Sequence, residues 1–368
     1  MSQQENSKGF QWIFLAALLL IGILVIIALV NVKSQADTVS TTTAITNTAP
    51  SVSVVSITDS ATSIAAQYNT TSAKFTPSAG STNTTTSNGL KTIYITGTVS
   101  DANGVMTAGV TGVQTAADVF NLGDLTQLET RLFRSGVLIT GCDEITERNR
   151  NYCYYNVAAA AGAGGCTFNV TATTSVNYFC QVDVASFVDA TTDTTNNSYD
   201  ADVWTASVKV TDDNAATATL TADIEINAAL NLEIPTSITY AASSSLALGA
   251  STTTSNNNDM TVTQAGNDKA DVEVSGGTMS CSIIGGITVG QQQWSKNATD
   301  VGYGGTGATA LTGSAFDTDL AVALRADTSG STPSSSATTQ PLWWNILIPS
   351  TGVAGTCTGS NTITAKSS

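Results

Sequence analysis

From Trp12 to Val30 the chain runs nineteen residues without one polar side chain. Wound as a helix at ~1.5 Å per residue, the run is about 28 Å long, close to the ~30 Å hydrocarbon core of a bilayer. No soluble domain needs such a segment, so the chain is expected to enter a membrane. An uncleaved anchor over residues 10–32 fits the length best. A secretion signal is the alternative, with Ser34-Gln35-Ala36 as its small-residue cleavage site, although such signals have an apolar core of only ~7–15 residues. Lys8 and the amino terminus flank one side and Lys33 the other, so loop charge sets no orientation.

Beyond the apolar run the composition changes. Charged residues make up only 11% of the chain, against ~25% in an ordinary soluble domain. Ser, Thr, Asn, Ala and Gly replace them. The net charge is −15, from 13 basic and 28 acidic residues, and histidine is absent. Phosphate recognition needs clustered Lys and Arg. The one basic group, Arg131, Arg134, Arg148 and Arg150, is diluted by Glu129, Asp143, Glu144 and Glu147. Nucleic acid is therefore excluded as a partner, and anionic lipid surfaces are disfavoured.

Six cysteines follow the apolar run and none precedes it. In an exported chain an even count reads as disulfides, and without histidine or a CxxC pair there is no zinc set. Cys142, Cys153, Cys166 and Cys180 sit together, and Cys281 and Cys357 lie far on. Two domains, each closing its own bridges, would join Cys281 to Cys357 and stabilise by roughly 4 kcal/mol through the unfolded state. The first four allow three pairings. Cys142–Cys153 with Cys166–Cys180 is preferred, because each pair is close and flanked by strand-like sequence.

The chain divides into a short leader (1–9), the apolar helix (10–32), a Thr-rich spacer (33–50), and two strand-rich spans (51–227 and 228–368). The spacer cannot bury a core and behaves as a tether. In "ATLTADIEIN" Leu220, Ala222, Ile224 and Ile226 alternate with Thr219, Thr221, Asp223 and Glu225, the period of a half-buried strand. "KTIYITGTVSD", "TQLETRLFRSG", "NYFCQVDVASFV" and "DVWTASVKVTD" read likewise, with a short helix within 114–128 as an option. "DMTVTQAG" and "KADVEVSG" around "GND" read as a hairpin. "PLWWNILIPSTGVAGTCTGSNTITA" reads as two strands joined by "PSTGVAG". Many short strands separated by turn clusters indicate antiparallel β-sandwiches.

The closing stretch "WNILIPSTGVAGTCTGSNTITA" resembles the last hairpin of immunoglobulin-like modules in bacterial and archaeal surface proteins. "KTIYITGTVSDANGV" with "VWTASVKVTDDNAATATLTADIEI" is similar to other strands of such modules. The resemblance covers both spans and implies two tandem immunoglobulin-like sandwiches. It brings no active site. "KGF" resembles a prepilin-type leader, cut between Gly9 and Phe10. That resemblance implies a pilin-like filament subunit, although Phe14 stands where the family has an acidic residue and no amphipathic helix follows the apolar run.

Asp101, Asn103, Asp212, Asp213 and Asn214 fall at turns. Such loops hold Ca²⁺ weakly in extracellular β-modules, and the same residue types also simply cap turns. Trp294 and Trp343 are candidates for a sugar-stacking platform, with packing as the alternative reading. Adjacent Trp343 and Trp344 point to opposite faces of a strand, so at least one belongs in a core. No Ser/His/Asp set and no phosphate loop is present. Asp183, Asp189, Asp193, Asp200 and Asp202 crowd one region and read as a solvated acidic surface. Asn69, Asn83, Asn169, Asn196 and Asn297 stand in N-x-S/T triplets, acceptors in organisms that glycosylate. The expectation is a non-enzymatic cell-surface protein. Membrane, other surface proteins or glycans, and further copies of the chain are its partners, and structural Ca²⁺ is the one cofactor suggested.

Overall fold

The computed structural model describes residues 15–21, 46–58, 74–75, 90–106, 110–159, 165–192, 199–241, 245–297, 299–330, 334–335 and 338–367. Of the expected 10–32 helix, residues 15–21 are helical and exposed and the remainder lies outside the described residues, as do Gly9, Phe10 and Ala36. No helix among the described residues is long and apolar enough to cross a membrane. Residues 1–46 form one unit and residues 47–368 a second, compact one.

The first part of the compact unit is built from β1 (Ser51–Thr58), β2 (Lys74–Phe75), β3 (Leu90–Ser100), β4 (Gly112–Gln114), helix α1 (Ala116–Leu122), β5 (Leu125–Arg134), β6 (Cys153–Ala159), β7 (Cys166–Ala172), β8 (Ser175–Ala185), β9 (Trp204–Asp212) and β10 (Thr217–Ile226). They form two five-stranded sheets, ordered β1-β3-β8-β7-β4 and β2-β10-β9-β5-β6. All pairings are antiparallel except β2 with β10. Every-other-residue burial decides which face meets the other sheet. Ile93, Ile95 and Val99 from one sheet and Leu128, Leu132, Val208, Val210, Ile224 and Ile226 from the other share one core with Trp204 and Tyr178.

Gly97 is required in mid-strand. A Cβ there would lie 1.8 Å from the Val54 carbonyl oxygen and 2.4 Å from the Tyr178 hydroxyl. The space belongs to the hydrogen bond in which Tyr178 Oη donates to that carbonyl at 2.9 Å. Helix α1 is short and capped at its amino end. Thr115 Oγ1 accepts from the Asp118 N–H, while Asp118 Oδ2 accepts from the Thr115 N–H, the reciprocal box that satisfies orphan donors of a first turn.

The second part comprises β11 (Leu232–Glu233), β12 (Asn258–Gln264), β13 (Ala270–Gly276), β14 (Met279–Cys281), β15 (Gly286–Ile287), β16 (Gln292–Ser295), β17 (Thr309–Ala310), β18 (Phe316–Asp317), β19 (Asp327–Thr328), β20 (Ser334–Ser335), β21 (Thr339–Ile346), β22 (Cys357–Thr358) and β23 (Asn361–Ser367). A five-stranded sheet, β11-β12-β21-β16-β17, faces a three-stranded one, β18-β13-β23. Met260, Val262, Trp294, Leu342 and Trp344 from the first meet Val272 and Val274 from the second.

Two hairpins expected from the sequence are absent here. β12 pairs with β21 and β13 with β23, so "GND" carries the chain from one sheet to the other rather than turning it back. β21 and β23 likewise lie in different sheets. The connection between them runs through the small β15-β14-β22 sheet, where Cys281 and Cys357 stand directly opposite in register and are bridged. The other bridges are Cys142–Cys153 and Cys166–Cys180, the latter joining facing positions of β7 and β8.

A polar clamp joins the two parts. Asp327, its side chain wholly buried, accepts from the Arg150 backbone N–H at 2.8 Å, from Nε at 3.0 Å and from Nη2 at 3.1 Å. Asn151 Oδ1 accepts from the Asp327 N–H, and its amide donates to the Arg325 carbonyl. The guanidinium groups of Arg150 and Arg325 both stack against Phe187. At the connection itself, Asn267 donates to the Asn227 carbonyl and accepts from the Ala229 N–H.

Candidate cation site

Three turns converge at one end of the first sandwich. The chain leaves β3 at Ser100 into Asp101-Ala102-Asn103-Gly104, where Asp101 Oδ1 accepts from the Asn103 N–H at 2.8 Å. Gly104 takes φ +111°, a conformation that costs glycine little and other residues much. The β9–β10 turn does the same with Asp212. Its Oδ1 accepts from the N–H groups of Asn214 and Ala216 at 3.0 and 2.7 Å. Asp124, just past α1, is threaded between the two. Its N–H donates to the Gly104 carbonyl, and its own carbonyl accepts from the Asp213 N–H.

The result is a knot of carboxylates. Oxygens of Asp101, Asp124 and Asp212 all lie within 4.8 Å of one another. Asp101 is 2% exposed and Asp212 1%. Asp101 Oδ2 and Asp124 Oδ2 are buried with no hydrogen-bond partner, and so is Asn47 Oδ1. Asn47 reaches the knot from the amino-terminal side, its amide 2.7 Å from Asp212 Oδ2. The neighbouring Thr48 N–H donates to Asn103 Oδ1 at 2.8 Å.

The electrostatics are one-sided. Burial, the hydrogen bond with Asp213, and repulsion from Asp213, Asp101 and Asp212 push the Asp124 carboxyl up to about 6. Burial first, then Asp212 and Asp213, also raise Asp101 against the Asn103 N–H that lowers it. Every charge acting on these two groups is negative. Buried carboxylates ordinarily carry a cationic partner or a metal, and a bound dication inverts the local electrostatics.

Asp101 and Asp212 thus come together as the sequence suggested, with Asp213 at the edge. Asn103 is drawn away, since its side-chain oxygen serves the Thr48 N–H. Asp124 and Asn47 were missed. Asp124 stands alone in "LGDL", and Asn47 lies in what reads as spacer, although Pro50 of that spacer is buried.

Other candidates are satisfied elsewhere. Trp294 is 4% exposed inside the second core, its ring tilted against Phe316, a position that favours the packing reading over the sugar platform. Trp343 is half-buried, and its Nε1 donates to the Asn297 carbonyl at 2.9 Å. The arginine group is occupied as well: Arg131 pairs with Glu129, Arg134 with Asp189 and Asp202, Arg150 with Asp327, and Arg148 Nε donates to the Tyr155 carbonyl. Asp183 accepts from Thr92 and Gln181, and Asp193 lies outside the described residues. Among the triplet asparagines, Asn297 donates its amide to the Thr306 carbonyl.

No known protein-family model matches the chain, and no curated protein is similar enough to count as a relative.

Proposed function

We propose that this chain is a non-enzymatic surface protein, anchored by its amino-terminal apolar helix, that holds two immunoglobulin-like sandwiches outside the membrane in a structural or adhesive role. The observation that carries the reading is the Arg150–Asp327 clamp, set beside the three disulfides. A buried carboxylate that takes three hydrogen bonds from the other part of the chain resists bending between the parts. A rigid post needs that resistance; loosely strung modules do not. Low charge and sulfur bridges suit a protein that stays folded in oxidising surroundings.

The test pairs external protease on intact cells with mass spectrometry of the mature amino terminus. An intact start, with the 47–368 body shaved from outside, supports the anchored reading. A start at Phe10 in sedimentable filaments replaces it with a pilin-like subunit. A cytosolic product with six alkylatable thiols overturns both.

A further inference from the structure

We propose that Asp101, Asp124, Asp212 and Asn47 bind one divalent, oxygen-seeking cation of the calcium class, and that the ion fastens the 47–50 segment onto the end of the first sandwich. Two observations independent of the acidic count point to a ligand. Asp101, all but completely buried, aims an unpartnered Oδ2 into the knot. The unpartnered Oδ1 of Asn47 comes from a separate stretch of chain and belongs to no carboxylate.

The spacing fits the ion. Ca²⁺ takes oxygens at ~2.3–2.6 Å, so two ligands on opposite sides of it stand about 5 Å apart at most. The three carboxylates lie within 4.8 Å. All donors are hard oxygens, which excludes the thiolate and imidazole chemistry of zinc. Mg²⁺ demands near-ideal octahedral geometry and keeps most of its water, for which three carboxylates already drawn together are the wrong cage.

The consequence is mechanical. Asn47 is the first residue of the compact unit, so an ion that takes its side-chain oxygen pins the point where the preceding chain joins the sandwich. The site is drawn from residues 47–213 and does not depend on the surface reading, so either can fail alone.

Full-length protein in detergent, stripped with chelator, is titrated with Ca²⁺ by calorimetry while melting is followed by tryptophan fluorescence. One saturable site per chain is expected, with Kd on the order of 10⁻³ M or tighter. At saturation Tm rises by several degrees. Asp124→Asn, which keeps the shape and removes a charge, weakens binding at least about tenfold, the effect of roughly 1.4 kcal/mol. Asn47→Ala weakens it severalfold and removes Ca²⁺-dependent protection of the 46–50 peptide bonds from protease. A wholly structural Asn47 would instead lower Tm equally with and without the ion. No saturable binding at roughly tenfold above the ~1 mM range of extracellular modules, or wild-type affinity in Asp124→Asn, overturns the site. Equal affinity for Mg²⁺ overturns the calcium assignment. Unchanged affinity and protection in Asn47→Ala overturn the fastening.

Discussion

The first and second β parts solve the same problem differently. In the first, long strands pair over long registers: β3 and β8 over eleven residues and β5 and β9 over nine positions. Its bridges close short loops, with sequence separations of 11 and 14. In the second, seven of the thirteen strands, among them β22 with Cys357, are only two residues long, and its one bridge spans a separation of 76. The acidic clusters differ in the same spirit. Asp271, Asp317 and Asp319 also gather within 4.8 Å, but Lys366 Nζ sits 2.5 Å from Asp317 and Lys296 Nζ 3.8 Å from Asp319. The second part brings its own cations; the first leaves its carboxylates to the solution. Ladder hydrogen bonds and covalent bonds are interchangeable sources of order, and so are an amine and a metal ion.

The largest test of that contrast is Cys281→Ser with Cys357→Ser. Loop-closure entropy over this span is worth roughly 4 kcal/mol, so calorimetry should show the second part melting far earlier while the first keeps its transition. Removing Cys166–Cys180 should cost about 3 kcal/mol by the same rule, with long β7–β8 pairing still in place. Equal losses from the two removals would break the comparison.

Next in size is Asp327→Ala. It strips Arg150 of its buried partner and unties the parts. Breaking a fully buried pair costs ~3–5 kcal/mol; because Arg150 is partly exposed, about 2 kcal/mol is expected. The two calorimetric transitions should move apart. A single unshifted transition would mean the clamp carries no coupling.

The third prediction concerns pH in metal-free protein. Asp124 folds with its carboxyl raised to about 6, so its contribution to stability is present below the ordinary carboxylate value and lost as pH rises through about 6. Wild-type Tm should fall over that interval, and Asp124→Asn should flatten the fall. A parallel pH profile in the variant would remove Asp124 from the account.

Much of the first part was legible because its signals are local. Period-two alternation in 217–226 places Ile224 and Ile226 in the core and Thr219 and Thr221 outside. The hairpin through Asp212-Asp213-Asn214 forms where turn chemistry put it. The second part was less legible for a physical reason. "GND" signals a reversal of direction, but reversal does not state whether the next strand pairs with its predecessor or crosses to the opposite sheet. That choice was set by β21 and β23, which begin only at Thr339 and Asn361. The cation site splits the same way. Asp101 and Asp212 announce themselves as turn residues, whereas Asp124 and Asn47 are brought in by tertiary packing that no spacing encodes.

The smallest effect should come from Lys366→Gln, and it sharpens the contrast most directly. The Lys366 ammonium, by hydrogen bonding to Asp317, holds that carboxyl below its ordinary value, while burial raises Asp271 next to it. A depressed carboxyl stabilises above the ordinary carboxylate value, and this contribution is lost as pH falls through the folded one, opposite in sign to Asp124. Lys366 is exposed, so salt screens its pair and the loss of Tm should be slight and should shrink as ionic strength rises. Taking the amine away leaves Asp271, Asp317 and Asp319 facing one another with Lys296 at the margin. If an amine and a dication are interchangeable, the variant should acquire a weak Ca²⁺-dependent rise in melting temperature that the wild-type second part lacks. A variant that loses stability yet stays indifferent to Ca²⁺ would show that the first site owes its ion to burial of Asp101 and Asp212, and not to unbalanced charge alone.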